Sequence, residues 1–143
     1  MSSAGQLSKL FEDYRDDVQF FLIYCREAHP IDGRNPGAKT VVEDPISDEE
    51  RRKVARKFVA DMGLDIPALL DGVDDAVSRA YASHPDRLYL IGKDGKVAYA
   101  GARGPKGFSP KALGAAIVTE LAAGEPRERG GEAWPEAAGD SGR

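Results

Sequence analysis

The sequence predicts an α/β fold, and three features of its apolar pattern support that prediction. An apolar run from Val18 to Tyr24 does not alternate with polar residues, which is typical of a strand covered on both faces, as in a parallel sheet. Segments with helical spacing lie on either side of this run, at residues 6–15 and from Ser47 onward. Further along, two β-prone segments flank a Lys-Asp-Gly turn at residues 93–95, which predicts a β-hairpin.

Length and composition fit one globular domain and argue against several classes of partner. The chain has 143 residues, 41% hydrophobic and 31% charged, with a net charge of −4. Interspersed charges of both signs argue against nucleic acid as a partner. No apolar run approaches the roughly 20 residues that cross a bilayer, so no membrane partner is expected. The N-terminus lacks the pattern of a signal peptide.

The single cysteine restricts the chemistry further. It excludes an internal disulfide, a CxxC redox pair and a cysteine-based zinc site. A lone unpaired thiol is typical of a reducing compartment, so we expect a cytoplasmic location.

The first part of the chain is predicted to contain a helix, a strand and a long loop. Residues 6–15 form an amphipathic helix whose apolar positions are Leu7, Leu10, Phe11 and Tyr14. The central strand follows at Val18–Cys25. A loop from Arg26 to Ile46 contains three prolines and two glycines, and ordered loops of this length are typically functional.

A second helix is predicted to begin at Ser47. Ser47 and Glu50 have the spacing of a capping box, and Gly63 ends the helix. The buried stripe is predicted as Val54, Phe58 and Met62. The basic residues are assigned to a solvated face rather than to a nucleic-acid patch, because acidic residues flank them; they are Arg51, Arg52, Lys53, Arg56 and Lys57.

The remaining elements are a short strand, a helix, the hairpin and a final helix. The strand is predicted at Pro67–Leu70, and the helix follows at Asp71–Ala82, with Val73, Ala76, Val77 and Ala80 facing inward. The hairpin strands are Arg87–Ile91 and Lys96–Ala100. The last helix runs from Pro110 to Ala122, with Leu113, Ile117 and Leu121 inward. We therefore predict one domain at residues 1–123 and a disordered tail at 124–143.

This order of elements is that of a thioredoxin-like sandwich. A parallel strand, a crossover helix, an antiparallel hairpin and a closing helix would build a central mixed sheet with flanking helices. The N-terminal strand of that fold is missing from the predicted elements, together with the helix whose N-terminus would carry the catalytic thiol.

A polar cluster follows the central strand, at the carboxyl end where open α/β sheets bind ligands. It contains Cys25, Arg26, Glu27, His29 and Asp32. Cys25 can act as a nucleophile only as a thiolate, which needs a nearby cation; the alternative is a small buried strand residue. Glu27 and His29 can exchange protons or form a hydrogen-bonded pair; the alternative is a network that orders the loop.

Three further observations complete the candidate site. A metal site built from Glu27, His29, Asp32 and Asp44 lacks a second histidine at ligand spacing, so no metal is predicted. Arg103 lies in a glycine-rich loop where its guanidinium can hold a carboxylate or phenolate; the alternative is an exposed turn residue. Pro85 precedes the hairpin at the place where thioredoxin folds have a cis-proline beside the active site.

Two segments resemble the iodothyronine deiodinase family. The segment from Tyr24 to Gly33, Tyr-Cys-Arg-Glu-Ala-His-Pro-Ile-Asp-Gly, is similar to the family's Glu-Ala-His-x-x-Asp-Gly motif. The segment from Arg87 to Phe108 is similar to its final hairpin and Arg-Gly-Pro loop. The chain is identified by this resemblance as a short, bacterial-type relative that lacks the N-terminal nucleophile segment.

The resemblance implies a thioredoxin-fold oxidoreductase that reductively removes iodide from an aromatic molecule. In the family a selenocysteine or cysteine attacks the aromatic iodide, and thiols then regenerate this residue. The implied partners are therefore a small iodinated aromatic and an external thiol reductant, with no bound cofactor. By motif, Glu27, His29 and Arg103 surround the substrate, and we assign Asp32 and Pro85 to substrate binding. The chain departs from the family in two ways: no cysteine precedes Val18, which leaves Cys25 as the only candidate nucleophile, and Arg34 stands where the family usually has Trp.

Three hypotheses follow from this departure. An active enzyme requires an accessible Cys25 with a lowered pKa, in one cleft with Glu27, His29 and Arg103. A non-catalytic binding or dimerising module predicts a buried, inert Cys25, with the open sheet edge covered by a partner chain in a homodimer. A truncated redoxin would have its nucleophile upstream of this sequence.

Overall fold

The computed structural model describes residues 2–34, 36–37 and 42–124, and within them the elements follow one another in the predicted α/β order. No helix of the described part is both long and apolar enough to cross a membrane. Apart from Gly124, the predicted tail lies outside the described residues. The elements are α1 Ser3–Tyr14, β1 Leu22–Tyr24, α2 Asp48–Met62, β2 Ala68–Leu70, α3 Ala76–Ala80, β3 Tyr89–Ile91, β4 Val97–Ala100 and α4 Pro110–Ala122.

The strands pair in two separate sheets of two strands. β1 and β2 are parallel, with Leu22 opposite Ala68 and Tyr24 opposite Leu70. β3 and β4 are antiparallel and form the predicted hairpin, with an irregularity between Leu90 and Ile91. Within the described residues these pairs are not joined, so the structure differs from the single central mixed sheet that the sequence predicts.

The helix ends follow the predicted capping residues. The Ser47 side chain accepts a hydrogen bond from the Glu50 backbone N–H at 3.2 Å. The Glu50 carboxylate accepts one from the Ile46 N–H at 3.0 Å, one residue earlier than in the standard capping box. Gly63 ends α2 in the left-handed conformation, at φ 58°, which only glycine adopts without strain.

The apolar core joins α1, α4 and the β3–β4 hairpin. Leu90, Leu113 and Ile117 are its buried centre, and α1 packs against them through Leu7, Leu10 and Tyr14. A Cβ atom added at Gly114 would lie 3.0 Å from a Leu10 methyl group, so the missing side chain lets α1 approach α4 closely. The inward faces predicted for α1 and α4 are thus confirmed.

The prediction that the central strand is covered on both faces is wrong. β1 is shorter than the predicted Val18–Cys25, and Phe21 and Ile23 are 55% and 41% exposed. Ile23 lies opposite Leu69 of β2, which is also exposed. Within the described residues, this face of the β1–β2 sheet has no covering layer.

Arg51 was assigned to the solvated face of α2, and that assignment is also wrong. Its side chain is only 2% exposed, whereas Met62, predicted to be buried, is 40% exposed. Arg51 precedes Val54 and Phe58 by three and seven residues, so it projects from the same helix face as the apolar stripe. Its guanidinium donates to the Gly72 carbonyl and to the Asp75 carboxylate.

The third helix is shorter than predicted and presents a different face inward. It covers Ala76–Ala80 instead of Asp71–Ala82, because Asp75 has a left-handed conformation at φ 54°. Ser78 is buried, while Val73 is exposed. The buried Asp71 carboxylate accepts the N–H groups of Val77 and Ser78 at 3.0 and 2.8 Å, so it satisfies donors at the start of the helix from outside it.

Candidate functional site

A cavity of about 530 Å³ lies beside the loop that follows β1. This loop carries the polar cluster predicted from the sequence, and it leaves the carboxyl end of a parallel strand, where α/β sheets bind ligands. The loop after β4 and the region around α3 complete the walls. The lining residues are Arg26, Glu27, Ala28, Pro30, Gly33, Arg34, Asp75, Ser78, Arg79, Ala82, His84 and Arg103.

Glu27 is held on the cavity wall by the last residue of β1. The buried Tyr24 hydroxyl donates to Glu27 Oε2 at 2.9 Å, and the Tyr24 ring packs on Phe58 of α2 with 5.4 Å between centroids. Burial, followed by the hydrogen bond to Glu27, raises the pKa of Tyr24 above its ordinary value of 10.0. The phenol therefore stays a donor over the whole neutral range and positions the carboxylate.

Arg103 reaches the same cavity from the loop after β4. The loop closes on itself, because the Gly107 N–H donates to the Arg103 carbonyl at 2.9 Å. A Cβ atom at Gly107 would lie 2.5 Å from backbone atoms of Ala102 and Arg103, so this turn requires glycine. The fold thus brings together Glu27 and Arg103, two predicted site residues that are distant in sequence.

Cys25 is half-buried and does not line the cavity. Its Sγ lies 3.6 Å from the Ile23 carbonyl and 3.7 Å from Ser83 Oγ. Burial is the main cause that raises the pKa of the thiol above its ordinary value of 9.0. The active-enzyme hypothesis required a lowered pKa, and that expectation is wrong: the hydrogen bond to Ser83 favours the thiolate less than burial disfavours it.

A short chain of hydroxyl groups connects Cys25 to the cavity. Ser83 Oγ, which contacts the thiol, donates to Ser78 Oγ at 3.2 Å. Ser78 is buried and lines the cavity. The thiol is therefore adjacent to the cavity wall without opening onto it.

The remaining predicted residues lie outside the cavity lining. His29 is exposed, and its carbonyl accepts the Gly37 N–H at 3.0 Å. Asp32 Oδ1 accepts the Asp44 N–H at 2.9 Å, which orders the loop. The His84–Pro85 bond, whose isomer the sequence left open, is cis, and it is His84 rather than Pro85 that contacts the cavity. The expected common cleft of Cys25, Glu27, His29 and Arg103 thus contains only Glu27 and Arg103.

Sequence reasoning missed the contribution of α3 and its flanks to the site. Asp75, Ser78, Arg79 and Ala82 all line the cavity, although the predicted inward face of that helix was apolar. Arg51, which pairs with Asp75 at 2.8 Å, was missed because it was assigned to the solvated face of α2. Its position in register with Val54 and Phe58 is the sequence signal that could have identified it.

Within residues 2–34, 36–37 and 42–124, no group of three or more histidine, cysteine or acidic side chains is arranged to hold a metal ion.

Comparison with known proteins gives one consistent match. The sequence model of the iodothyronine deiodinase family matches residues 1–119. Thyroxine 5-deiodinase of Gallus gallus is 33% identical over 110 residues, which cover 76% of this chain and 42% of that protein. Thyroxine 5-deiodinase of Rattus norvegicus is 36% identical over 115 residues, or 79% of this chain and 37% of that protein. Type I iodothyronine deiodinase of Xenopus laevis is 29% identical over 107 residues, or 75% and 42%. The chain therefore spans about two fifths of the length of these relatives.

Proposed function

Since the chain belongs to the iodothyronine deiodinase family, we propose that it is an oxidoreductase that removes iodide from an iodinated phenol at the expense of an external thiol. The observation that carries this proposal is the single cavity lined by both Glu27 and Arg103, which come from the two segments that resemble the family. The relatives named thyroxine 5-deiodinase support an iodinated aromatic as the substrate class.

The proposed reaction transfers iodine from carbon to sulfur. The thiolate attacks iodine, the carbon–iodine bond breaks, and the ring carbon takes a proton, which leaves a sulfenyl iodide on the protein. A first external thiol displaces iodide and forms a mixed disulfide. A second external thiol releases the protein thiol and leaves as the oxidised reductant. The ring is reduced by two electrons, and the two external thiols supply them.

Each residue of the proposed site has a role in this scheme. Cys25 is the thiol nucleophile in this proposal, and its raised pKa makes the thiolate a minor species at neutral pH. This role requires the Cys25 Sγ, which lies next to Ser83 and outside the cavity lining, to reach the substrate. Arg103 binds an anionic oxygen of the substrate. Glu27, oriented by Tyr24, accepts a hydrogen bond from the phenol. Asp32 and Pro85 lie outside the cavity lining and act on substrate binding through their neighbours: Asp32 orders the loop that carries Glu27, and Pro85 follows His84, which lines the cavity.

The proposal also includes the fold, the oligomeric state and the cellular location of the chain. The order of elements, with a parallel pair, a hairpin and a closing helix, supports a thioredoxin-like arrangement. Within the described residues one edge of β1 is unpaired, and this edge together with the exposed Ile23 supports a homodimer formed through that sheet. The unpaired thiol supports a cytoplasmic location.

Iodide release from an iodinated phenol in the presence of dithiothreitol tests the activity. We expect release by the wild type, none by Cys25→Ser, and a rate that rises between pH 7 and 9, because the thiolate is the attacking species and the pKa of Cys25 is raised. Arg103→Met should slow release, whereas Arg52→Met, an exposed residue of α2 outside the cavity, should not. Equal release by wild type and Cys25→Ser would contradict the role of Cys25.

A second candidate function is a non-catalytic module that binds the same class of molecule. The half-buried thiol with its raised pKa, outside the cavity lining, favours it. This function predicts saturable binding of the iodinated phenol by both wild type and Cys25→Ser, with no iodide released by either.

A further inference from the structure

The cavity is lined by an excess of positive charge, although the chain as a whole is acidic. Four guanidinium groups, those of Arg26, Arg34, Arg79 and Arg103, face two carboxylates, those of Glu27 and Asp75. The net charge of the chain is −4. The positive lining is therefore a local property of this cavity and not of the whole surface.

The two carboxylates of the cavity neutralise only part of this charge. Asp75 Oδ1 accepts from Arg51 Nη1 at 2.8 Å, and Arg51 lies outside the lining, so Asp75 does not offset a lining arginine. Glu27 accepts its hydrogen bond from the neutral hydroxyl of Tyr24, so this carboxylate offsets one of them. Of the four lining arginines, Arg26 is paired with a carboxylate, Asp44, at 2.7 Å.

Three arginines remain available to a ligand. Among the described residues, no carboxylate lies within ion-pair distance of Arg34, Arg79 or Arg103. Arg79 Nη1 donates to the neutral main-chain carbonyl of Asp74. All three residues are exposed, whereas Pro30 and Ser78, which also line the cavity, are buried. A ligand in this cavity would meet arginines contributed by three separate segments.

This arrangement favours a particular kind of anion. Planar guanidinium groups bind a carboxylate through paired hydrogen bonds and also stack on aromatic rings. Glu27, on the same wall, disfavours a dianion such as phosphate. An ammonium group next to the carboxylate, as in an amino acid, would meet three unpaired arginines against the one carboxylate of Glu27, so the lining as a whole disfavours it. The volume of about 530 Å³ is in the range of small-molecule sites.

We propose, building on the function proposed above, that the preferred substrate is an iodinated phenol bearing a carboxylate and no α-amino group, and that Arg79 and Arg34 determine this preference. Arg103 contacts the substrate in the reaction itself. Arg79 and Arg34 add the charge that selects a simple carboxylate over the corresponding amino acid and over the amide that lacks the carboxylate.

Equilibrium binding, measured by calorimetry without any thiol, tests the proposal with three matched probes. They are diiodinated para-hydroxyphenylpropionate, its primary amide and diiodotyrosine, which differs from the first by an α-amino group. We expect the propionate to bind about fivefold more tightly than either of the others, the size of effect typical of partly exposed charges. Raising the salt concentration should weaken binding of the propionate more than binding of the amide, because the probes share the iodinated phenol and the amide lacks the carboxylate.

Variants of Arg79 test whether this residue causes the preference for the propionate. Arg79→Met should weaken binding of the propionate about fivefold and leave the amide unaffected, while Arg79→Lys, which keeps the charge, should retain most of the preference. Arg52→Met is the matched control and should bind all three probes like the wild type. Equal affinity for the three probes, no binding of any, or an equal loss for propionate and amide in Arg79→Met would each overturn the proposal.

Binding and turnover separate this inference from the proposed function. Preferential binding of the propionate without iodide release would contradict the enzyme activity and leave the charge preference standing. Iodide release at equal efficiency from all three probes would support the activity and contradict the preference.

Discussion

The buried Arg51 links helix α2 to a residue of the cavity wall. It projects from the first turn of α2, is only 2% exposed, and binds both the Gly72 carbonyl and the Asp75 carboxylate. Asp75 lines the cavity from the other side. Taking a guanidinium out of water is unfavourable unless its partners are well placed, so Arg51 fixes the position of the segment that precedes α3.

Replacing Arg51 should destabilise the fold strongly. We expect Arg51→Met to lower the free energy of unfolding by about 3 kcal/mol, the lower end for breaking a buried ion pair, because Asp75 is still 21% exposed. Urea denaturation measures the change. Arg52→Met, one residue further on the exposed face, should change stability by less than about 0.5 kcal/mol.

The double variant Arg51→Met, Asp75→Asn separates loss of the pair from loss of packing. Removing the carboxylate left without its partner should recover part of the lost stability. If Arg51→Met alone is as stable as the wild type, the ion pair has no structural role.

At the scale of elements, the cavity is assembled by three connections rather than by one helix or strand. The loop after β1 supplies Glu27, the loop after β4 supplies Arg103, and the short α3 supplies Arg79. The position of Arg103 depends on the turn that ends at Gly107. The backbone of Gly107 lies so close to Ala102 and Arg103 that a side chain would not fit there.

A side chain at Gly107 should therefore impair the site. In Gly107→Ala the new Cβ would lie 2.5 Å from backbone atoms of Ala102 and Arg103, so the turn must move and displace Arg103. We expect weaker binding of an iodinated phenol carboxylate and a loss of about 1–3 kcal/mol in stability.

Gly124→Ala is the matched control for that variant, because nothing lies within 4 Å of a Cβ atom added there. It should resemble the wild type in both affinity and urea midpoint. Wild-type affinity in Gly107→Ala would show that the turn does not position Arg103.

At the scale of the whole molecule, the described elements fall into two packed groups. One contains α1, α4 and the hairpin, and the other contains α2 with the β1–β2 sheet. Cys25 at the end of β1 contacts Ser83 in the segment before the hairpin, and Tyr24 packs on α2. Burial raises the pKa of both Tyr24 and Cys25.

Alkaline pH should therefore weaken the whole fold. The ordinary pKa values are 9.0 for Cys25 and 10.0 for Tyr24, and both are higher in the folded chain. The stability that comes from keeping both groups neutral is fully present below pH 9 and is lost as the pH rises toward the folded values, because the unfolded chain ionises first. Urea midpoints should fall steadily from pH 9 to 11.

The variant Tyr24→Phe, Cys25→Ala isolates these two groups. It should be somewhat less stable at pH 7, since the hydrogen bond to Glu27 is lost, but its midpoint should fall less steeply above pH 9. A decline as steep as that of the wild type would assign the alkaline loss to other residues.

Local sequence was sufficient for the order of the elements, most of their ends and the family. Some features depend only on residues within a few positions of one another. These are the capping at Ser47, the left-handed turn at Gly63 and the apolar stripes of α1 and α4. Such interactions can be recognised from spacing and residue type. The motif around Glu27 also lies within one short segment, which is why it identified the family.

Burial, pKa values and the composition of the cavity depended on contacts between distant segments. Arg51 is buried because Asp75 and Gly72 meet it, Cys25 has a raised pKa because the chain folds over it, and Ile23 is exposed because no described segment covers that face. Arg79 lines the same cavity as Glu27 and Arg103 because the fold brings these three distant segments together. The free energy of a charged or apolar group is set by its surroundings in three dimensions, and these surroundings come from parts of the chain that local spacing does not relate.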